Sequence, residues 1–144
     1  MLNGILQKNE IINRSKPVTD IKKEVTPFIK NIVDLCNKKI GEFNGALALA
    51  HCQVEKDNPL TFFVFNTGET IINPEILELI GEKTTSMEGC LSLALRPEKK
   101  VKRYEKIKVK YLDTNGKERV TYEYGKRAYV FQHETDHFKN KYIY

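Results

Sequence analysis

The sequence predicts one α+β domain, with helices towards both ends of the chain and antiparallel strands between them. Residues 105–111 and 118–124 alternate apolar and polar side chains, which is typical of half-buried strands. The Asp-Thr-Asn-Gly turn at 113–116 lies between them and predicts a hairpin. A helical pattern of apolar residues precedes this strand region, and another helix is expected after it. Because the strands dominate and follow one another along the chain, we assign the α+β class.

The first helix is predicted after an irregular arm of residues 1–18, where Thr19 or Asp20 can cap it. Its apolar stripe repeats at helical spacing, in Ile21, Val25, Phe28, Ile29, Ile32, Val33, Cys36 and Ile40. Cys36 is therefore interpreted as a small apolar residue of the core.

The middle of the chain is predicted to form short strands. Residues 61–65 are apolar, and the Asn-Thr-Gly-Glu segment at 66–69 turns the chain after them. Residues 70–72 resume as a strand that is expected to stop at Asn73-Pro74, while residues 75–80 can continue in the sheet. The last helix is predicted over residues 125–139, and Asn140 can end it in a left-handed conformation.

The composition is that of a globular protein: of 144 residues, 40% are hydrophobic and 30% are charged. No apolar run approaches the roughly 20 residues that span a bilayer, and the N-terminus is too short and polar for a signal peptide. We therefore expect a cytoplasmic chain without membrane association, forming one domain over residues 1–144. The three cysteines, an odd number, argue against a disulfide framework.

The net charge of +5 includes a lysine-rich run over residues 99–110. Its charged residues, Arg103 among them, mostly alternate with Ile107, Val109 and Tyr111, so we interpret them as the solvated face of a strand. A specific nucleic-acid site would carry interleaved stacking aromatic residues, and we predict no such site. Weak attraction to a polyanion such as the ribosome remains open.

The most informative motif is His133-Glu134-Thr135-Asp136-His137, near the end of the predicted last helix. Each helical residue advances about 100°, so the two histidines point to nearly the same side and can bind one metal ion. Glu134 lies beside that ion and can move a proton to and from a water. Val130 and Phe131 indicate that the helix is partly buried, where a metal would compensate the charges. The motif therefore predicts metal-assisted hydrolysis.

The third metal ligand must come from elsewhere, since a catalytic site needs three protein ligands and an open position for water. The seven residues after His137 contain no His, Asp, Glu or Cys. Cys90 is the best upstream candidate, because Gly89 lets the backbone approach closely and a metal would hold the thiol as a thiolate.

Two segments together resemble the signature pair of the peptide deformylase family: Glu88-Gly89-Cys90-Leu91-Ser92 and Gln132-His133-Glu134-Thr135-Asp136-His137. Other positions are spaced as in that family, namely Pro17-Val18, Ile72 to Ile76, Val101, Arg103, Ile107, Val109, Tyr111, Asp113 and Gly116. The resemblance covers nearly the whole chain. It implies antiparallel sheets around a central metal-binding helix, and an enzyme that removes the N-formyl group from N-formylmethionyl nascent peptides and releases formate.

The resemblance also implies a set of metal ligands and partners. Cys90, His133 and His137 would bind one divalent ion, for which Fe(II) is the first choice and Zn, Ni or Co are alternatives. The partners would be nascent formylated peptides, with at most weak ribosome contact, and we expect a monomer.

The catalytic roles that the resemblance implies fall on three residues. Glu134 would be the general base towards the attacking water and would then pass the proton to the leaving amine. The side-chain amide of Gln53 and the backbone N–H of Leu91 would stabilise the oxyanion. Glu88 would anchor the cysteine loop through a charge-assisted bond, while Asp136 is either a partner of the site or a solvated charge.

The third family motif, Gly-x-Gly-apolar-Ala-Ala-x-Gln, is altered in this chain, which reads Ala46-Leu47-Ala48-Leu49-Ala50-His51-Cys52-Gln53. In the family this segment runs beside the bound peptide. We therefore expect the substrate-binding positions to be Ala46, Ala48, His51 and Gly89. A methyl group at Ala48 could crowd the peptide. His51 has a second interpretation, which we prefer, as a satisfied and partly buried histidine.

Three alternative functions remain open at this point. A related amidase for another N-acyl group is motivated by the altered glycine motif and His51. A paralogue could bind metal or peptide without catalysis, although the retention of Glu134 and Gln53 favours an active enzyme. A generic zinc peptidase is disfavoured by the upstream cysteine ligand.

Overall fold

The computed structural model describes residue 1 and residues 3–39, 45–93 and 96–144. In chain order its elements are α1 (Ile21–Glu24), α2 (Thr26–Cys36), β1 (Ala48–Ala50), β2 (Phe62–Phe65), β3 (Thr70–Glu88), β4 (Lys99–Leu112), β5 (Glu118–Tyr124) and α3 (Gly125–Phe138). Short 3-10 turns lie at Lys8–Glu10, His51–Gln53 and Leu91–Leu93. None of the described helices is both long enough and apolar enough to span a membrane.

Within the described residues, the strands form one antiparallel sheet in the order β1-β2-β3-β4-β5. The α+β class is thereby confirmed, with a single sheet where the resemblance implied several. The predicted hairpin joins β4 to β5, and Asp113 Oδ1 accepts hydrogen bonds from the N–H groups of Asn115 and Lys117. Gly116 takes a φ of 77° in this turn, which a residue without Cβ adopts readily.

The sheet lies between α2 and α3. Because successive residues of a strand point to opposite faces, Phe62 and Val64 pack with α2, whereas Phe63 and Phe65 pack with α3. Phe131 of α3 is fully buried, with its ring centroid 5.3 Å from that of Phe63. Burying such aromatic side chains stabilises the fold by a few kcal/mol each, and it holds α3 at a defined position on the sheet.

The first helix differs from its prediction because it is divided at Val25 and ends at Cys36. Asp20 caps α1 as expected, since its Oδ1 accepts a hydrogen bond from the backbone N–H of Lys23 at 3.2 Å. Pro27 explains the division: it has no N–H to donate to the carbonyl of Lys23, and its ring would clash there. Cys36 lies in the core, as predicted, and Ile40 is outside the described residues.

β3 continues to Glu88, so the predicted stop at Asn73-Pro74 is wrong. The register of β3 against β4 shifts at these two residues, and Asn73 has a φ of 50°. Proline is tolerated in such a bulge because a bulged position makes no hydrogen bond to the neighbouring strand, so the lack of an N–H leaves no acceptor unpaired. The Asn73 side chain instead bonds both backbone groups of Val18, at 2.8 and 3.0 Å, which ties the N-terminal arm to the sheet.

β4 has one buried face and one lysine-rich face. Ile107 is fully buried, whereas Lys106 and Lys108 lie over the ring of Tyr122 on β5, at 5.1 and 5.7 Å from its centroid. The prediction that Arg103 belongs to the solvated face is wrong, since its side chain is 11% exposed. Arg103 instead turns towards Glu88 and Asp136, to which it donates hydrogen bonds.

Candidate active site

A cavity of about 250 Å³ opens between β1, the end of β3 and α3. The predicted site residues that line it are Ala46, Ala48, Gln53, Gly89, Cys90, Leu91, His133 and Glu134. Segments far apart in the sequence therefore meet at one place, as the resemblance implied.

The predicted metal ligands converge beside this cavity: Cys90 and His133 line it, and the buried His137 lies next to them. The ligand atoms of Cys90, His133 and His137 all lie within 4.8 Å of one another. Cys90 Sγ is 3.6 Å from His137 Nε2, and two tetrahedral ligands at ordinary metal–sulfur and metal–nitrogen lengths are about 3.6 Å apart. These residues therefore fit a transition-metal ion in both donor type and spacing.

A buried charge network orients His133. Glu88 Oε1 accepts a hydrogen bond from His133 Nδ1 at 2.8 Å, which leaves Nε2 free to be a ligand. Arg103 donates to both carboxylate oxygens of Glu88, at 2.9 and 3.0 Å, and to Asp136 Oδ2 at 2.8 Å. Burial alone would raise the pKa of Glu88, but hydrogen bonds from His133 and Arg103 outweigh it and lower the pKa to about 2. Glu88 is therefore charged at neutral pH.

The rest of the cluster is buried, and burial favours the uncharged form of each of its groups. Burial raises the pKa of Glu134 to about 7 and lowers the pKa of His137 to about 4. Burial, assisted by the nearby Glu134, also raises the pKa of the Cys90 thiol to about 12. Glu134 Oε2 lies 3.2 Å from His137 Nδ1. A bound cation would offset the cost of ionising the thiol in this setting.

Gln53 connects β1 to the cysteine loop. Its Oε1 accepts a hydrogen bond from the backbone N–H of Ala50 at 2.9 Å. Its Nε2 donates to Ser92 Oγ at 3.0 Å and, at the longer distance of 3.7 Å, to Cys90 Sγ. The amide is thus held in one orientation beside the metal ligands and Leu91.

The altered glycine segment lies along the cavity. β1 is at the edge of the sheet and pairs only with β2 among the described strands. Ala48 is 7% exposed and packs in the same cluster as Phe63 and Phe65, so the core takes up most of its methyl group. Ala46 and Gly89 also line the cavity, so they lie where a substrate could reach them.

His51 lies in the core and not at the cavity wall, in contrast to its prediction as a substrate-binding residue. Its side chain is 1% exposed, and Nδ1 accepts a hydrogen bond from the backbone N–H of Leu60 at 2.9 Å. The imidazole stacks on Phe62 at 4.7 Å and meets the edge of Phe28 at 4.4 Å. Burial lowers its pKa to about 4. These contacts agree with the interpretation of a packed histidine, but not of a satisfied one, because Nε2 is buried and no described residue hydrogen-bonds to it.

Two residues beside the metal ligands lie outside the two signature segments. Arg103 lies in a lysine-rich run, and the signal that sets it apart from a solvated charge is its place in the spacing shared with the family. Tyr142 stacks on His137, with ring centroids 4.8 Å apart and an angle of 27° between the planes. No local pattern predicts this contact, because it depends on the path of the chain after α3.

The chain matches one protein family over nearly its whole length. Residues 5–144 match the family model described as polypeptide deformylase. Peptide deformylase 1 of Clostridium perfringens is 56% identical over 133 residues, covering 91% of this chain and 87% of that protein. The crystal structure of peptide deformylase from Thermotoga maritima has a TM-score of 0.83 and 32% identity, covering 99% of this chain and 95% of that chain.

A Plasmodium falciparum peptide deformylase in complex with an inhibitor is also similar, with a TM-score of 0.82 and 26% identity, covering 96% of this chain and 85% of that chain. Sequence and fold thus agree, and both signature segments meet at the cavity. The chain belongs to the polypeptide deformylase family.

Proposed function

We propose that the cavity beside Cys90, His133 and His137 is where this enzyme deformylates its substrate. As a peptide deformylase, the chain removes the N-formyl group from nascent peptides. The location of the active site is supported by one observation: three ligand atoms lie within 4.8 Å of one another, next to Glu134 at the cavity wall. The peptides are proposed to begin with N-formylmethionine, and formate is the product.

The three ligands would hold one divalent ion, and we propose Fe(II), with Zn, Ni or Co able to take its place. A thiolate and two imidazoles suit these transition metals better than Mg²⁺ or Ca²⁺, which prefer oxygen ligands. The ion would supply Lewis acidity that lowers the pKa of a water and polarises the formyl carbonyl. The choice of Fe(II) among these metals rests on the resemblance to the family.

Glu134 is proposed as the general base and then the general acid. Its carboxyl group lies at the cavity wall beside His137, and its burial keeps bulk water from competing for the proton. The carboxylate takes a proton from the attacking water and returns it to the amine when the formyl C–N bond breaks. The products are formate and a peptide with a free amino terminus.

Gln53 and Leu91 are proposed to stabilise the negative charge that develops on the formyl oxygen. Gln53 Nε2 bonds Ser92 Oγ at 3.0 Å but reaches Cys90 Sγ only at 3.7 Å, so its second hydrogen makes only a long contact with sulfur and is available to a substrate oxygen. The bond from Ala50 to Oε1 fixes the amide beforehand. Leu91 follows Cys90 directly at the cavity wall, where its N–H can be the second donor. Such fixed donors lower the barrier because they need little reorganisation.

The substrate peptide is proposed to lie along the open edge of β1. An extended peptide can add to an exposed sheet edge through main-chain hydrogen bonds, and Ala46 and Ala48 lie at this edge beside the cavity. Gly89 lies across the cavity and adds no side chain that would obstruct the peptide.

We also propose that the chain is a cytoplasmic monomer with a single domain over residues 1–144. It is further proposed to make weak contact with the ribosome. Exposed Tyr122 and Tyr124 beside Lys106 and Lys108 support weak contact with RNA, since aromatic and basic groups together suit its bases and phosphates. Cosedimentation with ribosomes should fall steeply as salt is raised. Binding that is insensitive to salt would contradict this contact, and light scattering would test the monomer.

A formate-release assay tests the proposed substrate most simply. Protein loaded with Fe(II) without oxygen should release formate from a formyl-Met peptide and should act far more slowly on the acetyl-Met peptide of the same sequence. Equal rates on the two peptides would favour an amidase of broader substrate range. Full metal occupancy without any formate would contradict the proposed site.

A further inference from the structure

The two histidine ligands are held in place by different means. His133 Nδ1 bonds Glu88, whose carboxylate is in turn fixed by two hydrogen bonds from Arg103. This is the usual way in which a protein orients a metal-binding imidazole. His137 Nδ1 instead lies 3.2 Å from Glu134 Oε2.

Glu134 is a poor anchor for His137 if it moves the proton during the reaction. A carboxylate that takes and returns a proton changes its charge, and its hydrogen bond to Nδ1 changes with it. The other polar contact recorded for the His137 ring, among the described residues, is with Cys90 Sγ, its fellow ligand. A fixed orientation of His137 therefore needs a group outside this chemistry.

Aromatic packing supplies such a group. One face of His137 stacks on the ring of Tyr142 at 4.8 Å, and the ring of His133 meets it edge-on at 4.6 Å with an angle of 77°. The Tyr142 hydroxyl oxygen is buried, and no described residue bonds it. An unpaired buried hydroxyl costs free energy, so the ring and not the hydroxyl accounts for the favourable contact.

The chain after α3 is fastened so that Tyr142 stays on this face. Asn140 reverses the chain with a φ of 57°, and the N–H of Lys141 bonds the Asp136 carbonyl at 2.9 Å. Further along, Lys99 Nζ donates to the Ile143 carbonyl at 2.8 Å, and the Tyr144 hydroxyl donates to the Pro97 carbonyl at 2.9 Å. The segment is thus tied both to the end of α3 and to the loop that follows Cys90.

We propose that Tyr142 is a positioning residue that holds the imidazole of His137 in its metal-binding orientation through ring stacking. The inference rests on the proposed metal site. It assigns to an aromatic ring the task that Glu88 performs for His133, and it leaves Glu134 free to exchange its proton. It predicts that the ring of Tyr142 governs how long the metal stays bound.

The test compares Co(II)-loaded Tyr142→Leu and Tyr142→Phe with the parent protein and with Tyr111→Leu, a tyrosine that packs beside Phe131 of α3 and does not stack on His137. Transfer of Co(II) to excess chelator should be about tenfold faster in Tyr142→Leu, the lower end of the effect of losing a group that orients a ligand. Tyr142→Phe and Tyr111→Leu should match the parent. The cobalt–thiolate absorption should change in Tyr142→Leu alone.

Several outcomes would overturn the inference. Unchanged Co(II) release in Tyr142→Leu, or equally fast release in Tyr142→Phe, would show that stacking does not hold the ligand. Circular dichroism of the metal-free variants distinguishes misfolding from metal loss. If Tyr142→Leu does not fold, Tyr142→Met replaces it as the variant without an aromatic ring. A parent protein that binds no Co(II) would instead contradict the proposed metal site itself.

Discussion

Two segments line the same cavity but contribute to it in different ways. On α3 the side chains of His133, Glu134 and His137 carry the proposed chemistry. Along β1 the side chains mostly turn into the core, and the open backbone edge faces the cavity. Side-chain chemistry tolerates little substitution, whereas a backbone edge tolerates any side chain that the core can pack. This difference explains how the α3 motif is kept while the glycines before Gln53 are replaced.

The largest effect is expected from Glu134→Gln on α3. The amide cannot accept the proton from water, so kcat should fall by about a thousandfold, within the usual range for loss of a general base. Steady-state kinetics with metal analysis would check this, and metal content should be unchanged. Glu123→Gln, a buried glutamate on β5 held by Arg127, is the matched control and should keep full kcat. Equal losses in both variants would reject Glu134 as the base.

Gln53 is the one residue of the β1 segment to which we assign a chemical role. Gln53→Leu should lower kcat by about a hundredfold with little change in KM, because the lost donor acts in the transition state. Ser92→Ala removes a partner of the amide but keeps the donor, and it should retain most of the activity. If Ser92→Ala were as slow as Gln53→Leu, the amide would be an anchor of the cysteine loop and not an oxyanion donor.

Loss of Glu88 should weaken metal binding more than it alters the chemistry. Glu88→Ala removes the partner of His133 and should reduce metal affinity by about 10- to 100-fold. Competition with a chromophoric chelator would measure it. Asp136 contacts Arg103 but not His133, so Asp136→Asn should reduce the metal affinity much less. An unchanged affinity in Glu88→Ala would show that His133 needs no orienting carboxylate.

His51 gives the β1 segment a pH-dependent stability. Its pKa is lowered to about 4 in the folded protein by burial, so the unfolded state binds the proton first as pH falls. The stability is fully present above the ordinary histidine pKa, near 6.5, and is lost progressively down to about pH 4. Between pH 7 and 5.5 the loss should be on the order of 1 kcal/mol.

Denaturant unfolding of the metal-loaded protein at the two pH values would measure this loss. His51→Asn can still accept the Leu60 hydrogen bond but does not titrate, so its stability should change less over that interval. An identical pH dependence in both proteins would assign the effect to other groups.

The smallest effect is expected at Ala48, where the β1 segment has alanine in place of the glycine of the family motif. Ala48→Gly should leave kcat/KM unchanged, because the methyl group packs largely in the core. It should cost about 0.5–1 kcal/mol of stability, since glycine in a strand is less favourable than alanine. A large gain in kcat/KM would mean that the methyl group obstructs the peptide, and the contrast between α3 and β1 would fail.

Local spacing predicted the elements and residues that depend on local geometry. The ligands on α3 follow from the helical repeat, and the hairpin at 113–116 follows from its turn residues. The prediction was wrong where a tertiary contact overrides a local rule. Asn73-Pro74 is typical of a strand end, but here it lies in a bulge, where no strand partner needs an N–H from the proline. The side chain of Asn73 hydrogen-bonds to the backbone of Val18.

Other features of the site depend on contacts that the sequence does not encode locally. The side chain of His51 turns into the core because the 3-10 turn after β1 directs it between Phe28 and Phe62. Tyr142 reaches His137 because the chain reverses at Asn140. Asn140 was predicted to end the helix, but the direction of the chain beyond it was not predictable. The burial of Arg103 was not predictable from strand alternation, because Glu105 belongs to the same alternating set and is exposed.

The central claim is that one metal ion held by Cys90, His133 and His137 carries the deformylation. Titrating the metal-free protein with Fe(II) in the absence of oxygen, with formate release measured at each addition, tests it most directly. Activity should rise linearly and level off at one equivalent, and Cys52→Ser should behave in the same way while Cys90→Ser stays inactive. Full activity before any metal is added, or a Cys90→Ser variant that reaches the activity of the parent, would contradict the claim.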